Sequence, residues 1–219
     1  MDPTEEKITT QDIVDVFERS FSNSYPFETI FSDWVEAMSI AFQNVLDNPI
    51  KDKREKRYQE IMKRYSKEEQ TILSGTLVGM LAITLTQEMR DVLGEIYMLG
   101  SGNKKTGQFF TPFNLSELTA SCLATDIPEE KILLNEPSCG SCGMVIAFCK
   151  NLKSQGYNYQ NKVKVVAQDI DWRCVYMSYV QMELLGIDAV VFQGDTLQDS
   201  KASEEQIFRT MRNRGFIYG

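Results

Sequence analysis

The sequence contains no histidine, which excludes imidazole triads, imidazole proton shuttles and histidine-held metals at the outset. Chemistry here must come from carboxylates, backbone amides, thiols or hydroxyls. The run Asn135-Glu136-Pro137-Ser138-Cys139-Gly140-Ser141-Cys142-Gly143 is rich in small residues and lies between a strand-like and a helix-like run. Such a turn exposes backbone N–H groups beside the positive end of a helix, and together these hold an anionic group while a ligand lies against the main chain. Asp169 and Asp171 follow a second strand-like run, and Asp195 follows a third in Gly194-Asp195-Thr196-Leu197. Carboxylates at the ends of three consecutive parallel strands (Glu136, Asp169, Asp195) point into one crevice, where nucleoside-binding sheets accept hydrogen bonds from ribose hydroxyls. Each feature also has a purely structural use. Glycine serves tight turns with no ligand, and aspartate after a strand caps the next helix or turn.

Thiols and aromatics leave similar alternatives. Cys139-x-x-Cys142 has the spacing of a redox or metal pair, although a metal site needs about four ligands. Cys149 and Cys174 sit in apolar helical surroundings and read as small core residues. Trp172, Tyr176 and Tyr179 share one helical face; core packing is the simplest use, with Trp172 alternatively walling the crevice. Five cysteines, an odd number, in a chain whose acidic amino terminus is no signal peptide argue for reduced thiols and a cytoplasmic protein. The uncharged stretch 70–87 is only half apolar, too polar for a membrane span.

These groups need elements to position them. The first hundred residues read as helices. Thr10 caps a segment reaching Phe21 with Ile13, Val14, Phe17 and Phe21 on one face, and a second helix is expected at 32–46 with Trp34, Met38, Ala41, Phe42 and Val45 aligned. A charged third helix follows Pro49. Ser66 and Glu69 have capping-box spacing and open a long helical region to Leu99, with Gly75 and Gly94 as candidate interruptions. After Gly100 the pattern changes through the polar connector 101–108. Strands are expected at 131–136, 163–168 and 189–193, and helices at 114–125, 143–154 and 172–185, the last stopped by Gly186. The strands are apolar without alternation, which suits parallel strands covered on both faces. The expected domains are therefore a helical one at 1–100 and an α/β, Rossmann-like one at 106–219.

The chain has 219 residues, 42% apolar, with 31 acidic and 23 basic side chains and a net charge of −8. That is an ordinary globular profile and not a disordered one. The negative balance opposes binding to nucleic-acid phosphates unless basic residues are segregated. Lys51, Lys53, Arg54, Lys56, Arg57, Lys63, Arg64 and Lys67 fall in one helical stretch, and Arg209, Arg212 and Arg214 in another; a solvated helix face is their default reading.

Taken in order, GQFFTPFNLSELTA (107–120), EPSCGSCGM (136–144), AQDID (167–171) and GDTL (194–197), preceded by DVLGEIYM (91–98), resemble the N-6 adenine DNA methylases. That group includes the modification subunits of type I restriction-modification systems. The resemblance implies a helical region followed by an abbreviated Rossmann-like S-adenosylmethionine-dependent methyltransferase domain. It further implies methyl transfer to adenine N6 in DNA, with DNA reached through a partner specificity subunit. Carried over to this sequence, it places Phe110, Thr111 and Pro112 at the methionyl end of S-adenosylmethionine. Glu136, Ser138 and Gly140 come beneath methionine and ribose, Asp169 on the ribose, Ile170 against adenine, and Asp195 with Thr196 at the adenine amino group.

Two positions depart from the family's habit: Glu136 stands where Asp is common, and Cys142 stands where Gly is common. Cys142 adds a Cβ where close ligand approach or a positive φ is required. The family's catalytic element, an acidic or amide residue followed by two prolines and an aromatic, grips the target amine and stacks on a flipped base. Here the last proline is Pro137 and no Pro-Pro pair occurs, so the catalytic residues are unassigned. In the family's sheet the first strand lies between the second and a fourth that is not recognisable here, which leaves 131–136 as an apolar edge. The expectation is that residues 206–218 or another chain, in a homo- or hetero-oligomer, cover it. Two other classes stand beside the methyltransferase: a catalytically inactive cofactor-binding or assembly subunit, and a thiol redox protein working through Cys139 and Cys142.

Overall fold

The computed structural model describes residues 7–21, 25–45, 47–102, 110–198 and 202–214. Helix α1 (Thr10–Phe21) buries Ile13, Val14, Phe17 and Phe21, the face its apolar spacing dictates. Helix α2 (Phe27–Asn44) starts five residues ahead of the expected 32. The cause is Pro26, whose fixed φ of −58° sets the entry while its carbonyl accepts the first helical N–H groups, from Thr29 and Ile30. Phe27, Phe31 and Trp34 of α2 and Phe17 of α1 form an aromatic cluster with ring centroids 5.2–6.4 Å apart.

Helix α3 (Lys51–Met62) is the charged one. In α4 (Lys67–Thr71) the capping box closes in both directions: Glu69 N–H donates to Ser66 Oγ, and Ser66 N–H donates to Glu69 Oε2 at 2.7 Å. A π-helical turn (Ile72–Thr76) contains Gly75, and Trp34 Nε1 donates to its Leu73 carbonyl at 3.0 Å. Helix α5 (Leu77–Glu88) ends at Met89, which is left-handed at φ 47°. The long helical region therefore breaks at Met89 and not at Gly94, which lies inside α6 (Val92–Gly100). Gly94 has a packing duty instead: a Cβ there would fall 2.3 Å from Asp91 Oδ2 and 2.7 Å from Ser141 Oγ.

The carboxyl part runs α7 (Phe113–Leu123), β1 (Ile132–Glu136), α8 (Gly143–Ser154), α9 (Tyr159–Lys162), β2 (Val163–Asp169), α10 (Trp172–Leu184), β3 (Asp188–Gln193) and β4 (Ile207–Arg209). The sheet order is β1-β2-β3-β4, with the first three strands parallel and β4 antiparallel to β3. Burial alternates along β2 and β3: Val163, Val165, Ala167, Ala189 and Val191 are buried, while Lys164 is exposed and Val166 half-buried. Full cover thus lies on one face and not on both. Helices α8 and α10 link neighbouring parallel strands in the same direction, so right-handed crossovers place both on that face.

Strand β4 corrects the expectation for the chain's last part. Residues 207–209 pair with β3, through Val191↔Phe208 and Phe192↔Ile207, and not with 131–136. Phe208 supplies the reason: it is buried against Tyr176 and Tyr179 of α10, with the Arg54 guanidinium 4.6 Å above its ring. Thr210 Oγ1 closes the corner by donating to the Ile187 carbonyl at 2.8 Å. β1 consequently has one partner strand among the described residues, and its Leu133 is 69% exposed. Helical region and sheet share a continuous apolar core, and no helix among the described residues is long and apolar enough to cross a membrane.

Candidate functional site

The three parallel strands end at one edge of the sheet, and their register sets how the acids meet. Glu136 stands opposite Ala167, and Asp169 lies two residues further along β2, opposite Gln193. A separation of two keeps Glu136 and Asp169 on the same face, about 7 Å apart along the strand direction. Desolvation pushes the half-buried Glu136 carboxyl above its ordinary value, and the Asp169 charge adds to the rise while the Ser138 backbone N–H opposes it.

Asp169 stitches the turn after β1 to the turn after β2. One of its oxygens accepts the Gly140 N–H at 2.8 Å and the other the Asp171 N–H at 2.9 Å. Cys139 N–H donates to the Gln168 carbonyl, and Gly194 N–H to the Asp169 carbonyl, both at 2.9 Å, so all three strand ends are tied together. Asp171 takes the other role open to an aspartate after a strand: it caps α10 by accepting the Arg173 N–H at 2.7 Å.

The turn itself has the geometry its glycines demand. Gly140 is left-handed at φ 54°, and a Cβ there would sit 3.3 Å from the Phe110 ring. Cys142 is left-handed at φ 71°, so the position where the family commonly has Gly does require a positive φ, at a strain of about 1 kcal/mol for a non-glycine. Its thiol is buried beside Met182 Sδ at 3.8 Å. The hydrogen bond with Cys139 and complete burial hold that thiol well above its ordinary value. A protonated, solvent-shielded Cys142 is a poor nucleophile, which speaks against the redox use of the pair.

A small cavity of about 110 Å³ opens over this turn. Of the residues expected to bind a ligand, it brings together Phe110, Thr111, Glu136, Ser138 and Gly140. Pro112 stands at the N-cap of α7, beside the cavity wall. Ile170 is 65% exposed and does not line this cavity; Gln193 Nε2 donates to its carbonyl at 2.9 Å. Asp195 folds into a local turn in which its Oδ1 accepts the Leu197 N–H at 3.0 Å, and the Thr196 hydroxyl donates to the Pro137 carbonyl across the strand ends. Residues 107–109 of the segment quoted above lie outside the described residues.

Sequence reasoning missed the support beneath the turn. Asp91 caps α6, is 5% exposed and lines the same cavity. Its Oδ1 accepts the Gly94 N–H and the Gln181 amide, both at 3.0 Å, and its Oδ2 accepts the Ser141 hydroxyl. Gln181, fully buried on α10, also donates to the Ser141 carbonyl at 2.6 Å and accepts the Leu93 N–H at 3.0 Å. Ser178 Oγ donates to the Gly140 carbonyl at 2.7 Å. The available signal was DVLGEIYM, a segment singled out without a role for its Asp91.

The two basic clusters do come together, α3 against the segment around β4, but acids and carbonyls meet many of their charges. Lys51 pairs with Asp47, Lys53 with Glu205, Arg57 with Glu36, Arg64 with Asp33 and Arg209 with Glu204. Arg54 donates to the Ile207 carbonyl at 2.8 Å.

The family model described as N-6 DNA methylase matches residues 88–216. Among solved structures, a protein of Listeria monocytogenes assigned to the class I S-adenosylmethionine-dependent methyltransferases is 15% identical, with 89% of this chain and 55% of that one covered and a TM-score of 0.48. A type I restriction-modification methyltransferase subunit of Streptococcus thermophilus is 16% identical, with 91% and 46% covered and a TM-score of 0.47. The chain spans about half the length of these structures. A search of curated proteins finds no match.

Proposed function

Because the chain belongs to the N-6 DNA methylase family, we propose that its crevice holds S-adenosylmethionine and that the protein takes part in methyl transfer to the N6 amino group of adenine in DNA, within a restriction-modification system. The observation carrying this reading is the convergence of Glu136 and Asp169 on one face around the turn at Gly140. The acceptor set fits the cofactor. A carboxylate has about four acceptor positions; two on Asp169 are taken by backbone N–H groups, and two are left for a pair of ribose hydroxyls. Phe110, Thr111 and Pro112 then border the methionyl end, Glu136 and Ser138 lie beneath methionine and ribose, Ile170 packs on adenine, and Asp195 with Thr196 meets its amino group.

Bound there, the cofactor supplies an electrophilic methyl group. The chain's own contribution is to orient it: the left-handed Gly140 lets the ligand approach the main chain, and Asp169 fixes the ribose relative to the turn. No Pro-Pro pair occurs in these 219 residues, so no residue among them is assigned to grip the target amine. The side of β1 left unpaired among the described residues supports a partner chain at that edge, and the pairing of Lys51, Lys53, Arg57, Arg64 and Arg209 with acids supports contact with DNA through a partner.

The missing catalytic pair also favours a second reading, a cofactor-binding or assembly subunit without activity of its own. Calorimetric titration with S-adenosylmethionine tests the first claim, and loss of binding in Asp169→Ala supports it. Incubation with labelled cofactor and mixed DNA sequences then separates the readings. Methyl incorporation into adenine establishes the enzyme; binding without incorporation, even with the rest of the system added, leaves the subunit.

A further inference from the structure

Asp91 presents a carboxylate where its local task does not need a charge. Capping α6 requires only an acceptor for the Gly94 N–H, which asparagine or serine supplies as well. Yet the charge is 5% exposed, and no lysine or arginine pairs with it among the described residues. A buried carboxylate without a countercation is costly even when hydrogen-bonded. Three donors reach it, two on Oδ1 and one on Oδ2, and an acceptor position remains on Oδ2. That oxygen lies beside the start of α8, where a Cβ on Gly143 would be 3.3 Å from it. The cavity it lines contains a second acid, Glu136, and no basic side chain among the described residues. Such a wall matches the positive end of a zwitterion.

We propose that Asp91, reaching in from the helical region, is the anionic partner of the ammonium group at the methionyl end of the ligand. This rests on the reading of the crevice as an S-adenosylmethionine site and adds to it the residue that recognises the amino group.

The test compares two ligands by calorimetry: S-adenosylhomocysteine, and its analogue that keeps the carboxylate and lacks the amino group. The unaltered protein should prefer the amino compound by at least roughly tenfold. Asp91→Asn keeps the cap and should reduce that preference to within about threefold, whereas Ser141→Ala keeps the charge and should keep the preference. A preference that survives in Asp91→Asn, or its absence from the unaltered protein, overturns the inference. Failure of the unaltered protein to bind any adenosyl compound overturns the reading of the crevice as well. Should Asp91→Asn not fold, Glu136→Gln decides: the preference persists in it if Asp91 is the partner and vanishes if the turn's own acid carries the ammonium.

Discussion

The turn after β1 and the turn after β3 lie at the same edge of the sheet, joined through the Thr196 hydroxyl and the Pro137 carbonyl, and are built in opposite ways. The first is clamped from below by side chains distant in sequence: Asp91 and Gln181 hold Ser141, Ser178 holds the Gly140 carbonyl and Asp169 holds its N–H. Among the described residues the second is held by its own aspartate, the Thr196 hydroxyl and backbone hydrogen bonds from Gly194 to Asp169 and from Gln198 to Asp195, with no buried side chain beneath it, and its Leu197 is 94% exposed. A ligand meeting the first turn finds its donors and acceptors already fixed, so little ordering cost remains at that end. At the second turn most of that cost is still to be met. On the proposed S-adenosylmethionine reading, the methionyl and ribose end of the site is thus preorganised, and the adenine end is open.

If that contrast is right, the largest effect of a single substitution lies under the first turn. Gly94→Ala forces a methyl group into Asp91 and Ser141, and unfolding in urea should show a loss of about 2–3 kcal/mol. A change within 0.5 kcal/mol would mean that the support yields, and the contrast would fail. Next comes Asp169→Ala, which removes a proposed ribose contact and strands two backbone donors. Its affinity for S-adenosylmethionine should drop by about 2 kcal/mol, roughly thirtyfold, with a measurable loss of stability. Asp195→Ala acts on the open turn and should cost about 1 kcal/mol of affinity, roughly fivefold, with a melting curve close to that of the unaltered protein. Equal losses of stability from the two alanine variants would erase the distinction between the turns.

The same contrast separates what was legible in the sequence from what was not. Local signals worked where local physics decides. The face of α1, the Ser66–Glu69 box, three strand positions and the turn at Gly140 follow from periodicity, capping and glycine conformation. The positive φ at Cys142 was foreseeable because a residue type common in relatives, glycine, is the one that adopts it freely. Met89 breaks the helical region with no glycine or proline to announce it. β4 is three residues long, and its choice of β3 over β1 depends on the aromatic seat that Phe208 finds on α10. The network beneath the first turn spans separations of 50 and 90 residues, between Asp91 and Ser141 and between Asp91 and Gln181. No periodicity carries such a pairing; only the folded arrangement of α6, α8 and α10 does. Cover on one face of the sheet was hidden for a related reason, since apolar strand composition reports burial without saying which side is covered.

The smallest expected effect concerns pH and belongs to the preorganised end. Glu136 is held above its ordinary carboxylate value of 4.5, first by desolvation and then by the Asp169 charge, with the Ser138 N–H pulling the other way. The folded chain therefore binds this proton more tightly than the unfolded chain. The stability gained from it is present below the ordinary value and lost as pH rises through the elevated one. A cationic ligand reverses the preference, because it favours the ionised acid and expels the proton on binding. Affinity for S-adenosylmethionine should accordingly rise severalfold between about pH 5 and neutrality, and titration in buffers of different ionisation heat should reveal net proton release. In Glu136→Gln that rise should flatten while the amino-group preference assigned to Asp91 remains. A pH profile unchanged by Glu136→Gln would place the titrating group elsewhere and leave Glu136 with only the packing role that its half-burial already gives it.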